Sequence, residues 1–451
     1  MFFRSFREFS LVFLLFISQG LYAANTDVQF SGFASLVYAR SVHADTEGLL
    51  NNMSDAGEYR DYNIIGLRMN ADLYDKVSFT AQMVSYGSEN YDPEFDWIFA
   101  SFELTDELRL DIGKTRIPMY YYSDFIDVGY AYQWIKPPST VYVAGRSFFQ
   151  SVEGLKLSYI TTMDEWESEL LGFGGKTEQH FSSIDGKDQI DLYIHNLMGA
   201  AWTVEHDWLM LRAVYVQGDI TLGGYSSFDA LLSAIQGLGA AINTIQPYVD
   251  QNITPINIGP FEDMVALKND TLTFSGIGTS VDFDHVFAIV EISQSLFDDN
   301  IAANNSVGGY MTVGVRLPHR ITLSTTYGQR HQNANQHILR AYQSLVYNYL
   351  PLIPLTSSSS DASIQAAVAA VNEYLDGDHV YDMGDIIRNA INVAQDKTIR
   401  EYSVQFRWDF HPSAAFKFEY LFQNNDQYSP VNYLPEKVKP QAYRFGVDVV
   451  F

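Results

Sequence analysis

The fold is decided by the last nine residues of the sequence, which read Tyr443-Arg444-Phe445-Gly446-Val447-Asp448-Val449-Val450-Phe451. Apolar side chains occupy alternate positions and end with Phe451, while Arg444, Gly446 and Asp448 stand between them. Successive side chains of a β-strand point to opposite faces, so this stretch predicts a strand with one apolar and one polar face. Such a strand suits the closing strand of a membrane barrel; an edge strand of a soluble sandwich is the alternative.

The start of the sequence indicates export from the cytoplasm. Arg4 and Arg7 precede an apolar run over residues 11–17, which a pair of alanines follows. This order of basic, apolar and small residues predicts a cleaved signal peptide at residues 1–24. The apolar run is shorter than the roughly 20 residues that a membrane-spanning helix needs. We therefore expect residues 25–451 to form one barrel domain.

The composition excludes several kinds of site. The chain has no cysteine, so disulfides and thiolate metal sites are excluded, and no cofactor or metal is expected. Its net charge of −26 argues against nucleic acid as a partner. Its 30 tyrosines and 30 phenylalanines suit the two aromatic girdles of a membrane barrel.

The two-faced pattern recurs along the chain. In one example, Met311, Val313 and Val315 share an apolar face while Thr312 and Arg316 share the polar one. Repeats of this pattern between turn residues predict an all-β fold, a transmembrane antiparallel barrel of about sixteen strands. Short connections alternate with long ones, which predicts short periplasmic turns and long extracellular loops.

The polar faces of these strands carry basic residues that are candidates for the wall of a pore. They are Arg68, Arg109, Lys156, Arg212, Arg316 and Arg407. Acidic residues are about as frequent on the same faces, so we expect most of these cations to pair with carboxylates. An anion-binding path would need several of the basic residues to be left unpaired.

The connection after the fifth predicted strand, residues 114–146, is the candidate for a constriction. It combines aromatic rings with charges of both signs. Its candidate residues are Lys114, Arg116, Tyr120, Tyr122, Asp124, Asp127, Lys136 and Arg146. Folded into the lumen, the segment would set basic groups against acidic ones, giving a transverse field that favours small polar solutes. The alternatives are an ordinary surface loop whose rings join a girdle, or a track for saccharides.

Two stretches resemble the Gram-negative outer-membrane porin superfamily, including general and phosphate-selective trimeric porins. They are the segment Gly113-Lys114-Thr115-Arg116-Ile117-Pro118 and the last strand, in which Tyr443, Phe445 and Phe451 resemble the insertion signal of outer-membrane proteins. The resemblance implies a homotrimer in the outer membrane that forms a water-filled channel for passive diffusion of small hydrophilic solutes and ions. It implies outer-membrane lipid, lipopolysaccharide and the barrel-assembly machinery as partners.

Two long connections, residues 223–269 and 331–397, carry apolar residues at near-helical spacing. Helices there could pack over the rim of the barrel, or form a selective lid or a binding platform. The alternatives for function are therefore a solute-specific channel, for phosphate, another anion or a saccharide, that these loops gate, or a plugged barrel with a surface-binding role.

An enzyme is not expected. The sequence has no Gly-x-Ser-x-Gly elbow, no His-Glu-x-x-His and no phosphate-binding Gly-x-x-x-x-Gly-Lys-Ser/Thr. No plug domain is expected before the first strand at Val28, which argues against a receptor whose barrel is filled by such a domain.

Overall fold

The computed structural model describes residues 27–42, 56–142, 151–182, 189–223, 270–298, 305–333, 397–428 and 435–451, together with a few positions between 233 and 248 and residue 365. The predicted signal peptide and most of the two predicted helical connections lie outside the described residues. Among the described residues, no helix has the length and apolar character needed to cross a bilayer.

Strands account for most of the described chain. They are β1 (Asp27–Ser41), β2 (Ile64–Tyr74), β3 (Val77–Tyr86), β4 (Pro93–Glu103), β5 (Leu108–Arg116), β6 (Ser151–Met163), β7 (Trp166–Ser182), β8 (Gln189–His206), β9 (Leu209–Gly223), β10 (Asp270–Phe283), β11 (Val286–Phe297), β12 (Ser306–Leu317), β13 (Ile321–Gln332), β14 (Lys397–His411), β15 (Ala414–Tyr428), β16 (Pro435–Val438) and β17 (Gln441–Val450).

The strands close into a ring. Each pairs antiparallel with its neighbours, and β17 pairs with β1 from Phe33 opposite Val450 to Ser41 opposite Ala442. The short β16 and β17 pair one after the other with β15, so they share one position in the ring. The predicted antiparallel barrel of sixteen strands is confirmed.

Tight turns join the strands at one end of the barrel, as the alternation of short and long connections predicts. Examples are the links from β2 to β3, from β6 to β7 and from β12 to β13. Lys76, Asp164 and His319 adopt the left-handed backbone conformation in these three turns, with φ of 79°, 57° and 65°. At the other end the connections are mostly long, but β3 and β4 are joined by the short 3-10 turn Gly87–Glu89.

The two faces of the sheet differ as the alternation predicts. On β12 and β13, for example, Met311, Val313 and Leu323 are exposed, while Thr312 and Thr326 are buried. None of the described residues covers this apolar outer face, and an apolar face on the outside of a closed ring is stable in lipid. The barrel is therefore a transmembrane one, with its polar face turned toward the lumen.

Candidate functional site

The connection from β5 to β6 turns into the barrel. We name its described part, residues 117–142, the inner loop. The hydroxyl of Tyr121 lies 2.6 Å from that of Ser280 on β10, and the indole N–H of Trp134 donates to Thr326 on β13 at 2.8 Å. Both partners occupy inward-facing positions of their strands. The inner loop therefore lies inside the lumen.

An ion cluster holds the start of the inner loop. The guanidinium of Arg116, the last residue of β5, lies 2.6 Å from the carboxylate of Asp96 and 2.5 Å from that of Asp127. All three side chains are buried. A shift of register between β3 and β4 next to Asp96 allows that residue and its neighbour Trp97 both to be buried inside the barrel.

The first residues of the inner loop pack against an apolar part of the barrel wall, which we name the apolar seat. Ile117 and Tyr120 form one buried cluster with Phe173, Val214 and Phe274 of β7, β9 and β10. The rings of Tyr120 and Phe274 meet edge to face, with centroids 5.3 Å apart. These strands carry apolar residues at inward positions, so the lumen contains a hydrophobic core in this sector.

A buried carboxylate organises the tyrosines beside the apolar seat. Glu291 of β11 accepts hydrogen bonds from the backbone N–H of Tyr121 at 2.9 Å and from the hydroxyls of Tyr142 and Tyr310 at 2.7 and 3.0 Å. Burial raises the pKa of Tyr121 to about 12, and it raises the pKa of Tyr122 and of Tyr142 well above the ordinary value. These loop hydroxyls therefore stay protonated.

The middle of the inner loop is held by charges on β14, β15 and β17, which we name the charged seat. The ammonium of Lys417 donates to the carbonyl oxygens of Gly129 and Trp134 at 2.5 and 2.9 Å, and it pairs with Asp448 at 2.9 Å. Arg407 donates to two further carbonyl oxygens of the inner loop. A Cβ on Gly129 would lie 2.4 Å from the carboxylate of Asp448, so the close approach requires glycine.

Most of the predicted wall cations are paired, as expected. The pairs are Arg109 with Asp111 at 2.8 Å, Lys156 with Asp111 at 3.2 Å, Arg212 with Asp124 at 3.9 Å, Arg316 with Asp282 at 2.5 Å and Arg407 with Asp409 at 2.7 Å. Arg68 differs, because its guanidinium lies over the ring of Trp97, 4.1 Å from the centroid, and donates to the amide oxygen of Gln82.

The predicted constriction residues occupy different places in the structure. Arg116, Tyr120, Tyr122 and Asp127 are buried in the contacts of the inner loop. Asp124 is half-exposed on the inner loop, and the ammonium of Lys136 lies 4.2 Å from the ring centroid of Tyr62. Lys114 stands opposite Ile98 of β4, whose side chain is exposed on the outer face. Arg146 lies outside the described residues.

This arrangement differs from the predicted transverse field in two respects. Arg116 and Asp127 touch, so they neutralise each other instead of facing each other across a gap. Lys114 shares the outer face with Ile98, and its ammonium donates to the carbonyl oxygen of Phe95. The sequence did not reveal that Asp96, Lys417 and the other inward charges would bind the loop, although Lys417 stands at an inward position of an alternating strand.

Two solved structures share this architecture. OmpTdeltaL8, a loop L8 deletion mutant of OmpT from Vibrio cholerae, matches 95% of this chain and 100% of its own, with a TM-score of 0.50 and 9% identity. The anion-selective porin from Comamonas acidovorans matches the same shares of both chains, with the same score and identity. No family model and no curated protein matches the sequence. The likeness concerns the fold alone, and by that fold the chain is a closed transmembrane β-barrel.

Proposed function

We propose that the protein is an outer-membrane channel through which small hydrophilic solutes and ions diffuse passively, and that it is not an enzyme. One observation carries this proposal: a closed ring of sixteen strands with an apolar outer face holds a loop inside its lumen. Sixteen strands leave room for water inside a barrel. A loop folded into the lumen narrows it, which suits a channel that admits only solutes below a certain size.

We propose that the passage runs beside β2, β5 and β6. The apolar seat, on β7, β9 and β10, and the charged seat, on β14, β15 and β17, occupy other parts of the wall. The inner faces of β2, β5 and β6 carry Arg68, Arg109 and Lys156, and the half-exposed Asp124 of the inner loop interacts electrostatically with Arg68. A solute in this passage would meet a cation on the wall and a carboxylate on the loop, which favours small polar solutes.

Conductance tests the proposal. The purified protein is inserted into planar bilayers, and single-channel currents and the reversal potential in a potassium chloride gradient are recorded. We expect stable open currents. Asp124→Asn should move the reversal potential toward anion selectivity and Arg68→Gln toward cation selectivity, because each removes one charge from the passage.

Asp106→Asn provides the matched control. Asp106 lies in a tight turn at the end of the barrel, with 95% of its side chain exposed. This variant removes one negative charge outside the passage, so it should leave the reversal potential nearly unchanged. Folded protein that carries no current would overturn the proposal in favour of a plugged barrel. If neither Asp124→Asn nor Arg68→Gln changes the reversal potential, the passage lies elsewhere in the lumen.

The assembly is a separate proposal. We infer that the barrel is a homotrimer in the outer membrane of a Gram-negative bacterium, bordered by lipid and lipopolysaccharide and inserted by the barrel-assembly machinery. The apolar outer face supports the lipid contact. Chemical cross-linking in native membranes tests the oligomer: a trimer band is expected, and a monomer alone would contradict it.

A further inference from the structure

Two cations stand side by side on the inner face of β13 and β14, near the ends with the long connections. Arg330 is opposite Ile399, and Lys397 is opposite Gln332, so the two basic residues are diagonal neighbours. Each shares the inward face with a buried residue four positions away, Thr326 for Arg330 and Glu401 for Lys397. Diagonal neighbours across an antiparallel pair have Cα atoms about 7–8 Å apart.

No carboxylate among the described residues forms an ion pair with either cation: Glu401, the other diagonal neighbour of Arg330, accepts hydrogen bonds from Ser139 and Gln423 instead. The charged group that acts on Lys397 is Arg330, which repels it, and Arg330 itself interacts with Tyr120 of the inner loop. The Nε of Arg330 is buried and has no hydrogen-bond partner. Both side chains are half-buried. Two like charges that share a poorly solvated site repel each other, and an anion between them would remove that repulsion.

The surroundings suit an anion. Ser306, opposite Gln332 on β12, and Asn425, opposite Ile399 on β15, are buried at inward positions and supply a hydroxyl and an amide. The inner loop borders the site, because its backbone at Thr140 lies against Gly308, which is opposite Arg330. The pair therefore lies on the side of the inner loop where the long connections begin.

We propose that Arg330 and Lys397 bind a small, multiply charged oxyanion of the phosphate or sulfate class as it enters the lumen. The guanidinium can bind two oxygens of such an ion through parallel N–H bonds, while the ammonium of Lys397 contacts a third. This inference rests on the proposed channel function, and it assigns that channel a binding site for anions. If the channel is specific for an anion, Arg330 and Lys397 are where that anion binds.

Phosphate binding to the intact protein tests the site. The currents carried by potassium chloride are recorded while inorganic phosphate or sulfate is added to one side, and binding to the protein in detergent is measured in parallel by titration calorimetry. We expect phosphate to reduce the chloride current. Arg330→Gln and Lys397→Gln should each weaken binding by roughly 10- to 100-fold, since each removes a charged hydrogen-bonding partner.

Arg400→Gln is the matched control. Arg400 also lies near the start of β14, but it shares the outer face with the exposed Tyr402 and pairs with Asp426 at 2.9 Å. Its loss removes the same charge from the outside of the barrel, so phosphate binding should persist. An effect of Arg400→Gln as large as that of Arg330→Gln would show a general charge effect and would overturn the site.

The outcomes separate this inference from the channel function. A conducting protein whose current and calorimetry do not respond to phosphate or sulfate would overturn the oxyanion site and leave the channel proposal intact. A protein that carries no current but binds phosphate through Arg330 and Lys397 would support the site and overturn the channel. Recordings without dissolved phosphate or sulfate test whether the phosphate groups of the lipids occupy the site. If the current is already blocked under these conditions and Arg330→Gln relieves the block, a lipid headgroup occupies the site, and the proposal of a soluble oxyanion is overturned.

Discussion

The two seats of the inner loop hold it by different physics. At the apolar seat, Tyr120 and its neighbours are buried among the side chains of β7, β9 and β10. At the charged seat, the fully buried Lys417 joins Asp448 of the wall to the carbonyl oxygens of Gly129 and Trp134. Both attach the same loop to the same wall.

The difference predicts different responses to mutation. Apolar packing loses free energy in proportion to the atoms removed and to the cavity they leave. A buried ion pair adds little net stability, but removal of one partner leaves the other as an uncompensated charge. Removal of one charge from the charged seat should therefore cause a large loss in the free energy of unfolding, whereas at the apolar seat the loss should grow with the number of atoms removed.

The largest effect is expected at the charged seat. Lys417→Met should lower the free energy of unfolding by about 3–5 kcal/mol, because Asp448 and two loop carbonyl oxygens lose their partner. Denaturant unfolding in detergent measures the change. Lys417→Met combined with Asp448→Asn should recover part of the loss, since no buried carboxylate is then left unpaired. A double variant no more stable than Lys417→Met would contradict the account of the charged seat.

The apolar seat should respond next. Phe274→Ala should cost about 3 kcal/mol, the lower end of the range for a buried phenylalanine, because the ring contacts Tyr120 within a single cluster. The same unfolding measurement applies. Added salt should leave this cost unchanged, and a strong dependence on salt would contradict an apolar mechanism. Phe283→Ala, at an exposed position near a tight turn, provides the control.

The stability of the protein should depend on pH through Lys136 of the inner loop. Burial and the charge of Arg444 together lower the pKa of Lys136 to about 8 from an ordinary value of 10.5, while Asp61 opposes this shift. Between these two values the unfolded chain binds more protons than the folded one, so stability should rise as the pH increases from about 8 to 10.5. Below pH 8 this contribution is constant. Lys136→Met should abolish the rise, and a variant with an unchanged profile would assign it to another group.

The smallest effect is expected at Tyr130, in the middle of the inner loop. The hydroxyl of Tyr130 donates to the carbonyl oxygen of Pro412, in the tight turn between β14 and β15, at 2.7 Å. Tyr130→Phe should cost about 1 kcal/mol or less, because the contact is exposed and water can replace it. Thermal unfolding of the variant measures this cost. A loss as large as that of Lys417→Met would mean that this turn, and not the charged seat, anchors the loop.

The placement of the inner loop was only partly predictable. Its position after the fifth strand and its aromatic content indicated a segment that folds inward. The partners of Arg116 could not be read from its neighbours in sequence, because Asp96 reaches it only through the irregular register between β3 and β4. The outer position of Lys114 follows from strand β5 extending to Arg116, further than the sequence pattern indicates.

The barrel could be predicted from the amino-acid sequence alone. Three local features predict it: side-chain polarity with a period of two, the tight turns and the final aromatic strand. They are sufficient because, in lipid, strands with one apolar face satisfy all their backbone hydrogen bonds only in a closed barrel. The tertiary structure alone decided which charges meet. Lys417 meets Gly129 across 288 residues, and Arg330 lies beside Lys397 because β13 and β14 pair across a long connection. Such neighbours depend on the closure of the ring, which no short stretch of sequence encodes.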